Sequence, residues 1–591
     1  MSNERTFRIL IIHLNEGRGE VVSFGECDRM GGGSGLAAAL YDAYGLHHEK
    51  AHHPDQPLIF AIGPLTGYFP LMSKVVCGFK SPYHDQYAES HAGGRMALAL
   101  RFAGFDAIVI RGRAAAPSCI VVGSHRLQVD DVHHLWGVNV FTTGKLLRKM
   151  YSGHSGHRSI LRIGPAGENG IAFGSINVDT CRHFGRLGAG SVMGGKNLKA
   201  IVLQGDETIA LPEGKTYAKL FRAIYEDVTS TPQMRKYHDL GTPENLLPLN
   251  ERKSLPWRNL QQTSDPGIEG ISGERFAEEL LLRQTACAGC PVGCIHMGML
   301  RERFGDEHEY QYRQVSYDYE PIFAMGSMLG VTRAGEVLAL LDEVERVGMD
   351  VMSTGVSLAW ATEALEKGII GPDETLASLA FGKTAAYIEA IHHLGGACND
   401  FYRLLGQGTL VAAKHYGGED YACVLGQEMA GYATGEVFFV AQSLGFRHSH
   451  LDTGGYSYDL KHDDKDLEKA VRFLIEDERD RCLLNSMVSC LFARGVYKTE
   501  LLAEALASIG YKKLAGDLEG LAARVQEARW QQRLKTGFDP SAIKIPKRFK
   551  EVVTSKGSID AAYLNALREA YAKEIVALAG GVPTPAKADV S

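Results

Sequence analysis

Apolar and polar positions follow two different patterns along the chain. Up to about residue 205, short runs of β-branched and other apolar residues alternate with glycine-rich turns, a pattern that is typical of strands. We therefore expect a sheet-rich N-terminal domain over residues 1–208. Its clearest strand candidates are residues 7–12, 58–62, 107–110, 119–122 and 200–203.

Beyond residue 210 the apolar positions recur at helical spacing. Segments 334–345 and 466–476 carry their charged residues on one face, as amphipathic helices do. We predict an α+β fold, with the β-rich N-terminal domain followed by two mainly α-helical domains over residues 209–420 and 421–591.

Two segments fit neither pattern. Residues 229–275 are polar and contain five prolines, which indicates a long ordered connection between regular elements. Residues 580–591, Gly-Gly-Val-Pro-Thr-Pro-Ala-Lys-Ala-Asp-Val-Ser, are expected to form a loose tail.

Length and charge narrow the class of protein. A chain of 591 residues is too long for one ordinary core and can enclose a large prosthetic group. Its net charge of −7 argues against nucleic acid or an anionic membrane as the main partner. The chain has no apolar run of about 18 residues and no apolar leader, so we expect a soluble, cytoplasmic protein.

Eleven cysteines without a leader indicate a reducing compartment, where thiols bind metals or lie buried. Most of the scattered ones are expected in the core: Cys27, Cys77, Cys119, Cys181, Cys398 and Cys423.

Three other cysteines stand close together in the run Thr-Ala-Cys-Ala-Gly-Cys-Pro-Val-Gly-Cys. The C-x2-C-x3-C spacing favours an iron–sulfur cluster, which needs a fourth thiolate from elsewhere, and Cys482 and Cys490 are both candidates. A structural zinc site with His296 as the fourth ligand is the alternative. The three cysteines are Cys287, Cys290 and Cys294.

The N-terminal domain also contains several glycine-dense turns. None of them matches the P-loop or the G-x-G-x-x-G dinucleotide fingerprint, so an ordinary nucleotide site is not expected. Turns that expose backbone amides near arginines can bind phosphate, and together they favour a phosphate-bearing cofactor. The turns lie at residues 31–35, 63–67, 93–94, 164–169 and 182–190.

Six further segments stand out beside the three-cysteine run: residues 63–67, 102–110, 164–169, 192–201, 348–355 and 546–549. In their order along the chain, these motifs resemble those of the aldehyde:ferredoxin oxidoreductase family of tungsten enzymes, nearly from end to end. The resemblance implies an N-terminal β-rich domain that supports a bis-pterin tungsten cofactor, with two helical domains closing over it. It also implies one [4Fe–4S] cluster between them.

The family's two pterin motifs fall on residues 345–350 and 485–490. The second motif ends in cysteine, so the resemblance makes Cys490 the fourth cluster ligand and leaves Cys482 as a core thiol. At the first position of each motif, Glu345 keeps an acceptor carboxylate, whereas Asn485 offers an uncharged amide. The implied pterin contacts are Glu345, Met349, Asp350, Asn485, Ser489 and Leu491.

The phosphate end of the cofactor is implied at a second group of residues. The family has arginine where Lys74 stands, and lysine keeps the charge without the forked geometry. It has asparagine where His91 stands. Carbonyls at the positions of His91 and His183 would hold a magnesium ion that joins the two pterin phosphates. The implied residues are Lys74, His91, Gly93, Arg182, His183, Gly185 and Arg186.

Two acid–base groups are implied beside the metal. Glu320 and His450 align with a family glutamate and histidine. Oxidation of an aldehyde to an acid needs a proton acceptor, and a desolvated carboxylate or an imidazole can serve.

The sequence thus predicts a tungsten- or molybdenum-dependent aldehyde oxidoreductase, with electrons leaving through one cluster to a ferredoxin or an iron–sulfur subunit. Two alternatives stay open: the catalytic subunit of a tungsten-dependent aryl-CoA reductase of the benzoyl-CoA type, and an iron–sulfur electron-transfer protein without pterin. The sequence leaves the substrate and the oligomeric state open.

Overall fold

The computed structural model describes residues 5–152, 156–304 and 309–580, so the predicted tail lies almost entirely outside the described residues. Two six-stranded mixed sheets occupy residues 7–205 and confirm the β-rich N-terminal region. Their strands are β1 Phe7–His13, β2 Arg18–Phe24, β3 Leu58–Ala61, β4 Val75–Ser81, β5 Gln86–Ala92, β6 Ala107–Arg111, β7 Ser118–Gly123, β8 Arg126–Asp131, β9 His157–Arg162, β10 Ile176–Val178, β11 Arg182–Phe184 and β12 Leu198–Gly205.

The strand order of the first sheet is β2-β1-β6-β3-β4-β5, and that of the second is β11-β10-β9-β12-β7-β8. Each sheet contains one parallel pair: Ile9 of β1 lies opposite Ala107 of β6, and Ile201 of β12 lies opposite Ile120 of β7. The helices of this region are α1 Cys27–Met30, α2 Gly33–Tyr44, α3 Met96–Phe102, α4 Val140–Met150, α5 Pro165–Glu168 and α6 Ala189–Gly195.

Side chains that alternate between the two faces of β1 join two different apolar clusters. Successive side chains of a strand point to opposite faces. In β1, Leu10 and Ile12 join a cluster that includes apolar residues of the second sheet. Ile9 and Ile11 face the other way and pack in the cluster that contains the apolar residues of α2. Each face of β1 is therefore buried.

The remainder of the chain is mainly helical, as predicted. Segment 334–345 forms part of α12, and segment 466–476 forms part of α20, whose cap Asp466 accepts a bond from the Lys469 amide. The helices are α7 Lys215–Ser230, α8 Pro232–His238, α9 Leu246–Glu251, α10 Gly273–Glu279, α11 Tyr319–Met325, α12 Ala334–Val347, α13 Val351–Glu366, α14 Pro372–Thr375, α15 Thr384–Gly396, α16 Asp400–Leu405, α17 Thr409–Tyr416, α18 Glu436–Leu444, α19 Gly455–Lys461, α20 Leu467–Ser486, α21 Thr499–Ser508, α22 Lys512–Ala515, α23 Leu518–Lys535, α24 Lys547–Lys550 and α25 Ala561–Leu578.

Short helices also fill much of the connection at residues 229–275, which is ordered as expected. Among the described helices, none alone is long and apolar enough to cross a membrane. One bent pair, Tyr319–Leu329 with Ala334–Val347, meets the criteria of length and composition. Single-turn 3₁₀ segments lie at His133–Leu135, Thr242–Asn245, Pro266–Ile271, Ser327–Leu329, Glu419–Tyr421, Leu491–Ala493 and Pro540–Ala542.

A three-stranded antiparallel sheet within the helical part was not predicted. Its strands are β13 Leu281–Thr285, β14 Ile295–Arg303 and β15 Tyr310–Tyr317, and the three clustered cysteines lie in the loop between β13 and β14. In β14, Met299 and Arg301 are exposed while Leu300 between them is buried. This alternation of exposed and buried residues is the strand signal that the sequence analysis did not use. Two small hairpins complete the strands: β16 Val424–Leu425 with β17 Gln427–Glu428, and β18 Val553–Thr554 with β19 Gly557–Ser558.

A buried ion pair joins the first sheet to the C-terminal helices. Arg529 of α23 donates from Nε to Glu89 of β5 over 3.0 Å, and its Nη1 lies 3.7 Å from Glu478 of α20. All three side chains are fully buried, and an arginine left without its carboxylates there would be costly. The pair holds α20, and with it the segment that leads to Cys490, against the sheet.

Candidate functional site

A cavity of about 340 Å³ lies where the N-terminal sheets meet the helical part of the chain. Residues of the N-terminal sheets and residues of the helical part both line it, so side chains far apart in sequence meet there. Fourteen of the predicted site residues line it: Lys74, His91, Arg182, His183, Cys287, Cys290, Cys294, Glu320, Glu345, His450, Asn485, Ser489, Cys490 and Leu491.

Five other predicted residues lie outside the lining: Gly93, Gly185, Arg186, Met349 and Asp350. Arg186 donates from Nε to the Asp350 carboxylate over 3.0 Å and from Nη2 to a backbone carbonyl. Asp350 also caps α13 by accepting from two amides of its first turn. Met349 is buried, and an added Cβ at Gly185 would meet no atom within 4 Å. The Arg186–Asp350 pair therefore lies behind the cavity wall.

Backbone hydrogen bonds bring Cys490 to the loop that carries the other three cysteines. The amide of Leu71 donates to the carbonyl of Gly289 over 3.3 Å, and the amide of Cys490 donates to the carbonyl of Leu71 over 3.0 Å. A Cβ on Gly93 would lie 2.6 Å from the sulfur of Cys287, so only glycine fits beside this loop without a shift. Leu71 is therefore hydrogen-bonded to both cysteine segments and holds them next to each other.

The charges around the four thiols are unequal. Burial tends to raise the pKa of Cys287, but Lys74 and Arg182 overcome this effect and hold it below its ordinary value. Burial raises the pKa of Cys290 and of Cys294 to about 12. Cys290 and Cys294 therefore retain their protons until a metal displaces them, while Cys287 is favoured as a thiolate.

The hydrogen bonds of the His296 ring do not support the zinc alternative. The His296 Nε2 lies 2.8 Å from the carbonyl oxygen of Asp239 and 3.1 Å from that of His238. This nitrogen is therefore hydrogen-bonded to the backbone. Within residues 5–152, 156–304 and 309–580, no three His, Cys, Asp or Glu side chains are arranged to hold a single metal ion.

Several buried donors in or just behind the cavity wall have no partner within the described part of the chain. Those of lining residues are Nε of Arg182, Nη2 of Arg447 and Oγ of Ser489, and Nη1 of Arg186 lies behind the wall. Nearly all buried polar groups in proteins are hydrogen-bonded, and an unsatisfied one costs about 1–3 kcal/mol. Three of these donors are guanidinium groups, which bind phosphate well. The set fits an anionic group with many acceptor atoms, as a phosphate-bearing pterin is.

Two titratable residues of the lining, Glu345 and His183, are neutral at neutral pH. Burial and the nearby Asp342 raise the pKa of Glu345 to about 8, so its carboxyl is protonated at neutral pH. Ser316 donates to it over 3.2 Å. Burial lowers the pKa of His183 to about 3, so the 3.4 Å contact between His183 and Glu345 joins two neutral groups. A ligand donor could therefore meet acceptors here without displacing a counter-ion.

The two predicted acid–base groups are in direct contact. The His450 Nε2 lies 2.9 Å from Oε1 of Glu320, and the Tyr432 hydroxyl donates to the same oxygen over 3.0 Å. Burial opposes charge on Glu320, but His450 and these hydrogen bonds keep its pKa below the ordinary value. Nδ1 of His450 has no partner among the described residues. A carboxylate and an imidazole with one free nitrogen thus face the cavity together.

Comparison with known families agrees with this geometry. The model of the aldehyde ferredoxin oxidoreductase N-terminal domain matches residues 9–205, and that of domains 2 and 3 matches residues 219–589. The chain belongs to the aldehyde ferredoxin oxidoreductase family. It is therefore an oxidoreductase, and the family's tungsten-containing members imply a pterin cofactor.

The aldehyde ferredoxin oxidoreductase relatives cover most of the chain. The tungsten-containing enzyme of Pyrococcus furiosus is 30% identical over 85% of this chain and 84% of its own length. The enzyme of the same description from Thermococcus kodakarensis is 28% identical over 93% of this chain and 92% of its own. Among solved structures, the active site complex BamBC of benzoyl coenzyme A reductase with 1,5-dienoyl-CoA shares the fold, with a TM-score of 0.79 at 17% identity, covering 97% of this chain and 95% of that one.

Among the cavity residues that were not predicted from the sequence, Arg447, Asp318 and Cys181 carry ionisable groups. Arg447, whose Nε pairs with Asp452 over 2.7 Å, follows no motif. Asp318 was not predicted although it caps α11 two residues before Glu320, and burial raises its pKa to about 7. Cys181 was expected in the core but lines the cavity, and Cys398 is exposed. Only the cap position of Asp318 was visible in the sequence.

Proposed function

We propose that the protein is a tungsten- or molybdenum-dependent oxidoreductase that converts aldehydes to carboxylic acids on a bis-pterin site. Its electrons leave through one [4Fe–4S] cluster to a ferredoxin-like acceptor. One observation carries the proposal: in a member of this family, four cysteines, unpartnered guanidinium donors and the Glu320–His450 pair share one cavity.

The cluster would be held by Cys287, Cys290, Cys294 and Cys490. Burial opposes charge on Lys74, yet the nearby sulfurs of Cys490 and Cys287 hold its pKa above the ordinary value. Lys74 therefore stays protonated beside the thiolates and offsets their negative charge. Its Nζ lies close to the cysteine loop, since the Cβ position of Gly93 is 3.4 Å from this nitrogen and 2.6 Å from the Cys287 sulfur.

The pterin would lie along the two motif segments and its phosphates among the basic residues. Glu345, Asn485 and Ser489 would meet the ring atoms, and Arg182 and Arg186 the phosphates. A magnesium ion between the phosphates would use the carbonyls at His91 and His183, as in the family. When bound, the tungsten pterin group would supply the two-electron acceptor for the aldehyde carbon.

Glu320 and His450, which are in contact, would remove the protons that the oxidation releases. Oxidation of an aldehyde by water releases two electrons and, once the acid ionises, three protons. Glu320 is a carboxylate at neutral pH, so it would take the proton from the attacking water. His450, 2.9 Å away, would pass it on through its free nitrogen or orient the carbonyl oxygen. Asp318, with a pKa of about 7, lies on the same wall and could receive a further proton.

The two alternatives have less support. At 17% identity, the likeness to the benzoyl coenzyme A reductase complex shows the fold alone. A protein that had lost its pterin would leave the buried, unpaired nitrogens of Arg182 and Arg447 in the cavity wall without an acceptor, at the cost of their desolvation.

A dye-linked assay tests the proposed function. The protein, purified without oxygen from cells supplied with tungstate, is mixed with a panel of aliphatic and aromatic aldehydes and an oxidised viologen. We expect dye reduction that depends on the aldehyde and yields the matching acid. Benzoyl-CoA with reduced viologen is the parallel assay, and consumption of benzoyl-CoA without oxidation of any aldehyde would contradict the proposal in favour of the aryl-CoA alternative.

A further inference from the structure

A stripe of aromatic side chains runs along the exposed side of α7. Tyr217, Phe221 and Tyr225 are spaced four residues apart and so lie on one face of the helix. Phe221 is 37% exposed and Tyr225 45% exposed, and the rings of these two are stacked. Large apolar groups exposed together usually mark a contact surface. The helix is held to the protein by a different set, the buried residues Leu220, Ile224 and Val228.

This stripe lies next to the cysteine loop. The Tyr217 hydroxyl donates to the carbonyl of Tyr68 over 2.5 Å, and the ring of Phe69 packs 5.3 Å from that of Tyr217. Two residues further on, Leu71 donates its amide to Gly289 between the cysteines. Ala286 and Gly289 of the loop are exposed, so the loop reaches the surface beside α7.

The same helix carries unpaired positive charge. Lys215, Lys219 and Arg222 are exposed, and the first acidic residue of α7 is Glu226. None of the three cations has an ion-pair partner in the chain as far as the structure describes it. Arg494, four residues after Cys490, is exposed as well. Lys215, Lys219 and Arg222 lie on the outer face of α7, beside the aromatic stripe and not around it. A row of cations next to an exposed apolar stripe suits a partner that presents carboxylates beside an apolar patch.

We propose that α7 and the cysteine loop form the docking surface for an acidic electron-transfer protein. The inference rests on the proposed function, because it assumes that electrons leave through a cluster held by the four cysteines. An electron acceptor must approach that site closely, and the aromatic stripe would exclude water from the contact. The cations would steer an acidic partner towards it and make association dependent on salt.

The other exposed aromatic patch is less well placed. Tyr312 of β15 is 60% exposed, and the guanidinium of Arg301 lies near it and over Tyr310. Arg301 is six residues beyond Ile295 along β14, which at strand spacing is about 20 Å further from the cysteine loop. This patch therefore serves as the matched control.

The test compares charge and aromatic variants in the loaded protein. Lys219→Glu with Arg222→Glu, and separately Phe221→Ser, alter the proposed surface. Lys145→Glu with Lys149→Glu, on α4, and Tyr312→Ser are the controls, since these residues are equally exposed elsewhere. The probe is an acidic bacterial two-cluster ferredoxin. Its Kd is measured by calorimetry at low and at physiological ionic strength, and its KM is measured in aldehyde oxidation.

We expect the charge-reversed α7 variant to weaken ferredoxin binding at least tenfold and to lose most of the salt dependence. Phe221→Ser should weaken binding as well, while both controls bind as the parent does. Rates with viologen should be unchanged throughout, which shows that fold and chemistry are intact. Equal binding by the parent and the α7 variants, or loss of binding only in Tyr312→Ser, would overturn the docking surface.

The two proposals fail in different ways. A parent protein that binds ferredoxin through α7 but oxidises no aldehyde with viologen would contradict the proposed function and support the docking surface. A parent that oxidises aldehydes with viologen but does not bind the acidic ferredoxin would overturn the docking surface and leave the function standing.

Discussion

Glu320→Gln is expected to lower aldehyde turnover by about two to four orders of magnitude while the protein retains its metals. The amide has nearly the same volume as the carboxylate and can still accept from the Tyr432 hydroxyl, but it cannot take a proton from water. His450→Asn should have a similar but smaller effect, because the asparagine cannot relay a proton from its 2.9 Å contact with Glu320. The measurement is viologen-linked kcat, with tungsten and iron determined on the same samples.

Tyr432→Phe provides the matched control. It removes one hydrogen bond to the same Glu320 oxygen without removing the base, so we expect less than a tenfold loss of kcat. Should Glu320→Gln oxidise every tested aldehyde at the parent rate with its metals in place, Glu320 would not be the base. Asp318, on the same wall of the cavity, would then be the next carboxyl to replace.

Cys490→Ser is expected to remove most of the cluster iron, whereas Cys482→Ser should leave the iron content close to that of the parent. Cys490 lines the cavity and is hydrogen-bonded through Leu71 to the loop that carries the other three cysteines. Cys482 lies fully buried in α20, with its sulfur 3.1 Å from Nη1 of Arg529, and does not line the cavity. A serine there can still accept from that guanidinium.

Iron per chain, measured after anaerobic purification, distinguishes these two variants. Cys482 is the more deeply buried of the two, so a general loss of stability would lower iron in Cys482→Ser at least as much as in Cys490→Ser. Equal iron in both, or a greater loss in Cys482→Ser, would show that the fourth ligand is not Cys490.

Regular elements with a strong period could be predicted from the sequence alone. The strand candidates at residues 7–12 and 107–110 became the paired β1 and β6, because apolar runs buried on both faces leave few other choices. The strands β13 to β15 were missed. Their exposed arginines, glutamines and tyrosines hide the alternation of apolar and polar residues. Pairing between neighbouring strands, and not burial of a continuous apolar run, stabilises them.

The site was predictable where chemistry is tied to spacing. The three-cysteine run was recognisable locally, and Cys490 followed only from its motif. Arg447 and Cys181 could not be found in this way, because each reaches the cavity through tertiary packing that no local pattern records. The same holds for the contact between Glu320 and His450, which are 130 residues apart in the chain and 2.9 Å apart in space.

Elemental analysis of the protein purified without oxygen tests the central claim most directly. Four thiolates around one cluster and a pterin site beside it predict about four irons and about one tungsten or molybdenum per chain. Zinc in place of iron, or iron with neither tungsten nor molybdenum in protein from cells supplied with both metals, would contradict the account.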